Sequence, residues 1–118
     1  MKLTPKPLLH LEGLTFLVAA TLAYRALGGS WLEYAVLFLV PDLAMAGYAF
    51  GHRIGAAGYN AAHTYLAPFL LWLLADYGHL PSLYAPALIW TAHIGLDRML
   101  GYGLKYETAF KDTHLAKV

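Results

Sequence analysis

Apolar residues fill four long stretches of this chain, 7–27, 31–50, 54–75 and 82–106. Polar or turn-forming residues break them only at Gly28-Gly29-Ser30, at Gly51-His52-Arg53 and at Asp76-Tyr77-Gly78-His79, with Pro81 closing the last gap. A helix of about 20 residues rises about 30 Å, the thickness of the hydrocarbon layer of a bilayer. The pattern therefore predicts four membrane-spanning helices. Short connections between them predict an up-down-up-down antiparallel bundle, an all-α integral membrane fold occupying residues 1–118 as one domain with a polar tail at 107–118. Pro41 and Pro68 fall inside the second and third stretches, and each is expected to kink its helix and free a carbonyl one turn earlier. The third stretch opens with Gly55, Ala56, Ala57, Gly58, Ala61 and Ala62, small residues that let backbones approach closely in lipid.

Composition agrees. Hydrophobic residues make up 59% of the 118 and charged ones 13%, about half the share usual in soluble domains. The run from Leu8 to Leu27 follows a basic start, as in a signal peptide, but it is long and carries Glu12, so it reads as a first span. With both termini and the 51–53 turn on one side, that side holds Lys2, Lys6, Arg53, Lys105, Lys111 and Lys117 against Arg25 opposite. The positive-inside rule then places both termini in the cytoplasm and the protein in the inner (cytoplasmic) membrane, with membrane lipids as its surroundings. A net charge of +1 offers no basic face for nucleic acid, and the absence of cysteine removes thiolate chemistry.

Against this apolar background the ionisable residues stand out, because each costs on the order of 2.5–3.5 kcal/mol at mid-membrane and persists mainly with a partner. Every predicted helix carries at least one costly polar residue: Glu12, then Asp42, then Asn60 and His63, then His93 and Asp97 with Arg98 beside it. Counted from the cytoplasmic ends at 1.5 Å per residue, Asp42, His63 and Asp97 each lie about nine residues deep, Asn60 about six, Glu12 about five and His93 about thirteen. Helices of alternating direction need not agree in this way. The agreement predicts a polar site in the cytoplasmic half of the bundle.

Imidazole and carboxylate together suit zinc, iron or manganese, and the set is similar in kind to the carboxylate-histidine sites of di-metal helix bundles. Asp42, His63, His93 and Asp97 are the expected ligands of a divalent metal, with Glu12 a further ligand or general base and Arg98 an electrostatic clamp. Asn60 is expected beside the ligands, in contact with them or with substrate, and Arg98, Tyr102 and Lys105 around the mouth, where a basic and phenolic rim suits an anionic head group. A structural ion pair of Asp97 or Asp42 with Arg98 and a path for protons or ions remain open alternatives at this point.

The segments LLHLEG at 8–13, PDLAMAGY at 41–48, YNAAHTY at 59–65, HIGLDRMLGYGLKY at 93–106 and FKDTHL at 110–115 resemble a family of small bacterial integral membrane proteins known as a domain of unknown function. The resemblance spans nearly the whole chain. It implies a four-helix membrane protein and marks Glu12, Asp42, Asn60, His63, His93, Asp97, Arg98, Asp112 and His114 as motif positions, adding Asp112 and His114 in the tail to the candidate site. It implies no activity. The leading expectation is a metal-dependent membrane enzyme, hydrolytic rather than oxidative, acting on a lipid or other amphiphile. The alternatives are a proton or cation transporter built as a homo-oligomer and a non-catalytic membrane scaffold.

Overall fold

The computed structural model describes residues 4–104 and Leu115, so Lys105, Asp112 and His114 of the expected site lie outside the described residues. The protein is all-helical, 85% helix. Helix α1 spans Pro5–Leu27, α2 Trp31–Phe38, α3 His52–His63, α4 Leu66–Tyr77 and α5 Tyr84–Leu100, with 3₁₀ segments at Val40–Phe50 and Pro81–Leu83.

Each boundary has a local cause. Pro5 opens α1, where its missing N–H belongs among the unpaired donors of a first turn, and Gly28 at φ 74° closes it by donating to the Arg25 carbonyl. Ser30 caps α2, its hydroxyl accepting from the Glu33 amide at 3.0 Å. At the other end of the chain, α5 stops at Leu100 rather than continuing to Tyr106. Gly101 turns left-handed at φ 97°, and the amides of Gly101 and Tyr102 close back on the carbonyls of Arg98 and Asp97.

Two of the expected four helices are interrupted, and proline is responsible both times. Pro41 cannot donate to Leu37, so after Phe38 the chain tightens into the 3₁₀ segment and the Asp42 amide bonds to Leu39, one residue short of the α-helical partner. The expected third helix is two helices. Its break falls at Thr64, which is extended at φ −97° and ψ 142°, and this places Pro68 in the first turn of α4, where no amide is missed.

Packing separates a central helix from its neighbours. α5 buries Ala87, Ile89, Ala92, His93, Ile94, Gly95 and Arg98 and is packed by α1, α2 and α4, while the 3₁₀ segment lies against α3. Where α1 crosses α5 the backbones touch. A Cβ on Gly13 would stand 2.5 Å from the Arg98 Cβ and 2.7 Å from the Gly95 oxygen, and one on Gly95 would stand 2.6 Å from the Leu17 nitrogen. The small residues of α3 are uneven: a Cβ on Gly55 would stand 2.3 Å from the Tyr48 ring, whereas one on Gly58 would meet only the Ala44 oxygen, at 3.5 Å.

The interior holds alanine, glycine, His63, His93 and Arg98 together with Tyr24, Tyr59, Ile89, Ile94 and Leu115, whereas many of the leucines face outward. Leu32, Leu43 and Phe50 are 76%, 72% and 76% exposed. Two helical rods, Pro5–Leu27 and Trp31–Phe50, are long and apolar enough to cross a membrane.

Candidate metal centre

The interrupted helices bring four side chains to one point. Asp42 stands in the first turn of the 3₁₀ segment, His63 ends α3, and His93 and Asp97 lie one turn apart on α5. His63 Nε2 is 3.2 Å from Asp42 Oδ1, 3.5 Å from Asp97 Oδ2 and 3.2 Å from His93 Nε2. His93 Nε2 is 3.2 Å from Asp42 Oδ1 and 3.3 Å from Asp97 Oδ2. One ligand atom from each of the four residues falls within 4.8 Å of every other.

Backbone carbonyls fix the orientation of both imidazoles. His63 Nδ1 donates to the Tyr59 carbonyl at 2.9 Å, and His93 Nδ1 donates to the Phe38 carbonyl. A carbonyl only accepts, so each Nδ1 carries a proton and each ring turns its Nε2 toward the other and toward two carboxylates. Ring stacking holds this geometry: Tyr59 lies parallel to His63, centroids 3.8 Å apart, and Phe38 tilts against His93 at 5.0 Å.

The arrangement fits a metal ion in chemistry and in size. Nδ1 bonded to a backbone carbonyl is the usual outer support of a ligating histidine. Zinc with nitrogen and oxygen ligands at about 2.0–2.1 Å has tetrahedral edges of about 3.3–3.4 Å; five of the six separations, 3.2–3.5 Å, lie close to them, and the set as a whole spans up to 4.8 Å. Octahedral cis edges at the same bond lengths are nearer 3.0 Å. Two carboxylates balance one dication. Both histidines are buried, whereas the side chain of Asp42 is 41% exposed and that of Asp97 15%, so the centre opens on its carboxylate side.

The breaks that form the site also supply its supports. With the Asp42 amide turned to Leu39, the Phe38 carbonyl is free to receive His93. The end of α3 leaves the carbonyls of Ala62 and His63 without amide partners, and α5 covers both: Trp90 Nε1 donates to Ala62 at 2.5 Å and Arg98 Nη2 to His63 at 3.0 Å. Arg98 is therefore a helix cap behind the site rather than the ion-pair partner of a carboxylate. Its guanidinium lies over the Tyr65 ring, 5.7 Å from the centroid.

Of the expected site residues, the fold unites Asp42, His63, His93 and Asp97. Glu12 is exposed on α1 and stands outside this group. Asn60 precedes His63 by three residues on α3 and is not one of the four, and Tyr102 is 56% exposed beyond the end of α5. Sequence reasoning passed over His10, whose Nδ1 is bonded to the Met99 carbonyl at 2.9 Å, and Trp90. His10 stood in the LLHLEG motif as a signal and Tyr65 at the end of YNAAHTY, and Trp90 lies three residues before His93.

Among the curated proteins and the solved structures, none matches this chain. A family profile does match, over residues 6–118, and the chain belongs to that family, a domain of unknown function (DUF4260).

Proposed function

We propose that Asp42, His63, His93 and Asp97 bind one divalent cation, zinc in preference to iron or manganese, in an integral membrane protein of the inner membrane. The observation that carries this reading is the convergence of one ligand atom from each of Asp42, His63, His93 and Asp97 within 4.8 Å of one another, with both imidazoles oriented by Nδ1–carbonyl hydrogen bonds. The membrane setting is supported by the two apolar rods and by the many large apolar side chains left exposed on the outside. In that setting α3 and α4 together form the third of four spans.

The function we infer is hydrolysis of an amphiphile. When bound, the cation supplies Lewis acidity toward a carbonyl or phosphoryl oxygen. Asp42 is the most exposed of the four and sits on the tight 3₁₀ turn, so it is the residue placed to give way to an incoming oxygen or to take a proton. A cavity of about 320 Å³ lies beside it, lined by Pro41 and Ala62, the chain neighbours of two ligands, and by Leu37 and Trp90. An acyl chain lodged there would keep its polar end beside the carboxylates and exclude water from the histidine side.

Protein purified in mild detergent without chelator is expected to carry about one equivalent of metal by elemental analysis, lost in His63→Ala and Asp97→Ala. Loaded protein, but not His63→Ala, is expected to release fatty acid from ester or amide amphiphiles presented in micelles. Less than about 0.1 equivalents of any transition metal would remove the metal reading and the enzyme with it. A second reading rests on the four protein ligands, since structural zinc sites are commonly closed by four. Under that reading the metal pins the 3₁₀ segment, α3 and α5 together; chelation then lowers the melting temperature and no substrate is turned over.

A further inference from the structure

The cavity beside Asp42 has a definite size, and much of its wall is stiff. Pro41 and Pro86 present rings with no side-chain freedom, and the Trp90 indole is pinned by its N–H to the Ala62 carbonyl at 2.5 Å. One end of the cavity lies at the level of the metal ligands, because Pro41 and Ala62 immediately precede Asp42 and His63. The rest of the wall lies farther along each helix. Pro86 comes seven residues before His93 on α5, Leu71 seven residues after the break at Thr64, and Leu37 five residues before Asp42. At 1.5 Å per residue these three stand about 8–10 Å from the level of the ligands. The adjustable side chains, Leu37 and Leu71, are therefore at the end away from the centre. A second groove, of about 640 Å³ between α1, α4 and α5 and lined among others by Phe16, Phe69 and Trp72, has no wall residue next to a ligand in the chain and so offers no place for a reacting head group.

Volume and length give similar limits. A methylene at interior packing density occupies about 25 Å³, so the cavity of about 320 Å³ holds about a dozen. An extended chain advances about 1.2 Å per bond, so a run of about 10 Å takes about eight carbons. We infer that this cavity admits one unbranched acyl chain of about eight to twelve carbons, and that Leu37 and Leu71 set the upper limit. The inference rests on the hydrolase reading for what happens to the head group, and on the cavity alone for the length of the chain. Fit, not hydrophobic drive, makes the selection. A chain arriving from lipid or a micelle was already in hydrocarbon, so extra carbons bring no transfer gain, while carbons past the limit must fold back or push the two leucines aside.

Trp90 provides the readout, because it lines this cavity while Trp31 and Trp72 do not. In Trp31→Phe/Trp72→Phe protein in maltoside micelles, 10-bromodecanoate is expected to quench Trp90 saturably, and unbrominated acids of six to eighteen carbons, compared at equal mole fraction in the micelle, are expected to displace it. Displacing power should peak between about eight and twelve carbons and fall at least fivefold by sixteen. Leu71→Ala removes three carbons from the far wall and is expected to move that fall upward by about three carbons; Leu71→Trp should move it downward. Leu37→Ala repeats the lengthening from a different helix, so a folding defect at one position does not decide the matter. Quenching that never saturates, displacing power that stays level or rises through eighteen carbons, or a limit unmoved by all three substitutions overturns the inference. Turnover of p-nitrophenyl esters by the metal-loaded protein separates the two readings. A break in kcat/KM at the same length supports both, whereas a break in displacement without any turnover removes hydrolysis and keeps the chain site.

Discussion

The α1–α5 crossing and the region around the 3₁₀ segment solve opposite problems. At the crossing two unbroken helices meet backbone to backbone through Gly13 and Gly95, with His10 bonded to the Met99 carbonyl across it. Around Asp42 and His63 both helices are broken by proline, and the carbonyls released at Phe38, Ala62 and His63 are taken by His93, Trp90 and Arg98. The intact half fixes the register of α5, and the broken half uses that register to aim its ligands. Polar side chains buried in an apolar bundle are tolerable here because backbone breaks supply their partners.

That contrast can be broken from either side. The largest expected effect is His63→Ala on metal: loss of one of four ligands should weaken affinity about a thousandfold, some 4 kcal/mol, read by competition with a chromogenic chelator. Next is Gly95→Val at the crossing. With the Leu17 nitrogen 2.6 Å from even a first carbon, helix separation must grow, at a cost of about 3 kcal/mol in denaturant titrations in micelles. Pro41→Ala attacks the broken side without touching a ligand. Restoring an amide at 41 favours an α-helical course in which Asp42 bonds back to Phe38, so His93 loses its acceptor, and metal affinity should fall about tenfold, while stability holds or rises. Trp90→Phe removes one carbonyl cap and should cost about 1 kcal/mol of unfolding free energy. Smallest and opposite in sign, Gly58→Ala adds a methyl facing only the Ala44 oxygen at 3.5 Å and should stabilise α3 by about 0.5 kcal/mol. If Gly58→Ala costs as much as Gly95→Val, the two halves are equally tight and the distinction fails.

Much of this site was readable before any coordinates, because depth along a helix is simple counting. Asp42, His63 and Asp97 share a depth, and His93 reaches the same point from one turn away on the face of Asp97. Depth says nothing about rotation around the axis. Glu12 has the right height but is exposed on α1, and only the packing of α1 against α5 through Gly13 decides that. The break at Thr64 was hidden for a different reason: the apolar run continues across it, so Pro68 suggested a bend in one helix where the chain makes two. The bond from Arg98 to the His63 carbonyl could not be read from the sequence, because that acceptor is free only once the break has formed. Backbone acceptors at Tyr59 and Phe38 leave no trace in residue identity.

The extended link at Thr64 leaves α4 in an unusual position. It carries none of the four ligands, yet Leu71 walls the cavity beside the aspartate and Tyr65, Phe69 and Trp72 wall the groove on the far side. One short helix thus borders both chambers while the ligands stay on α3, α5 and the 3₁₀ turn, so a substitution along it reshapes a chamber without replacing any residue of the coordinating set.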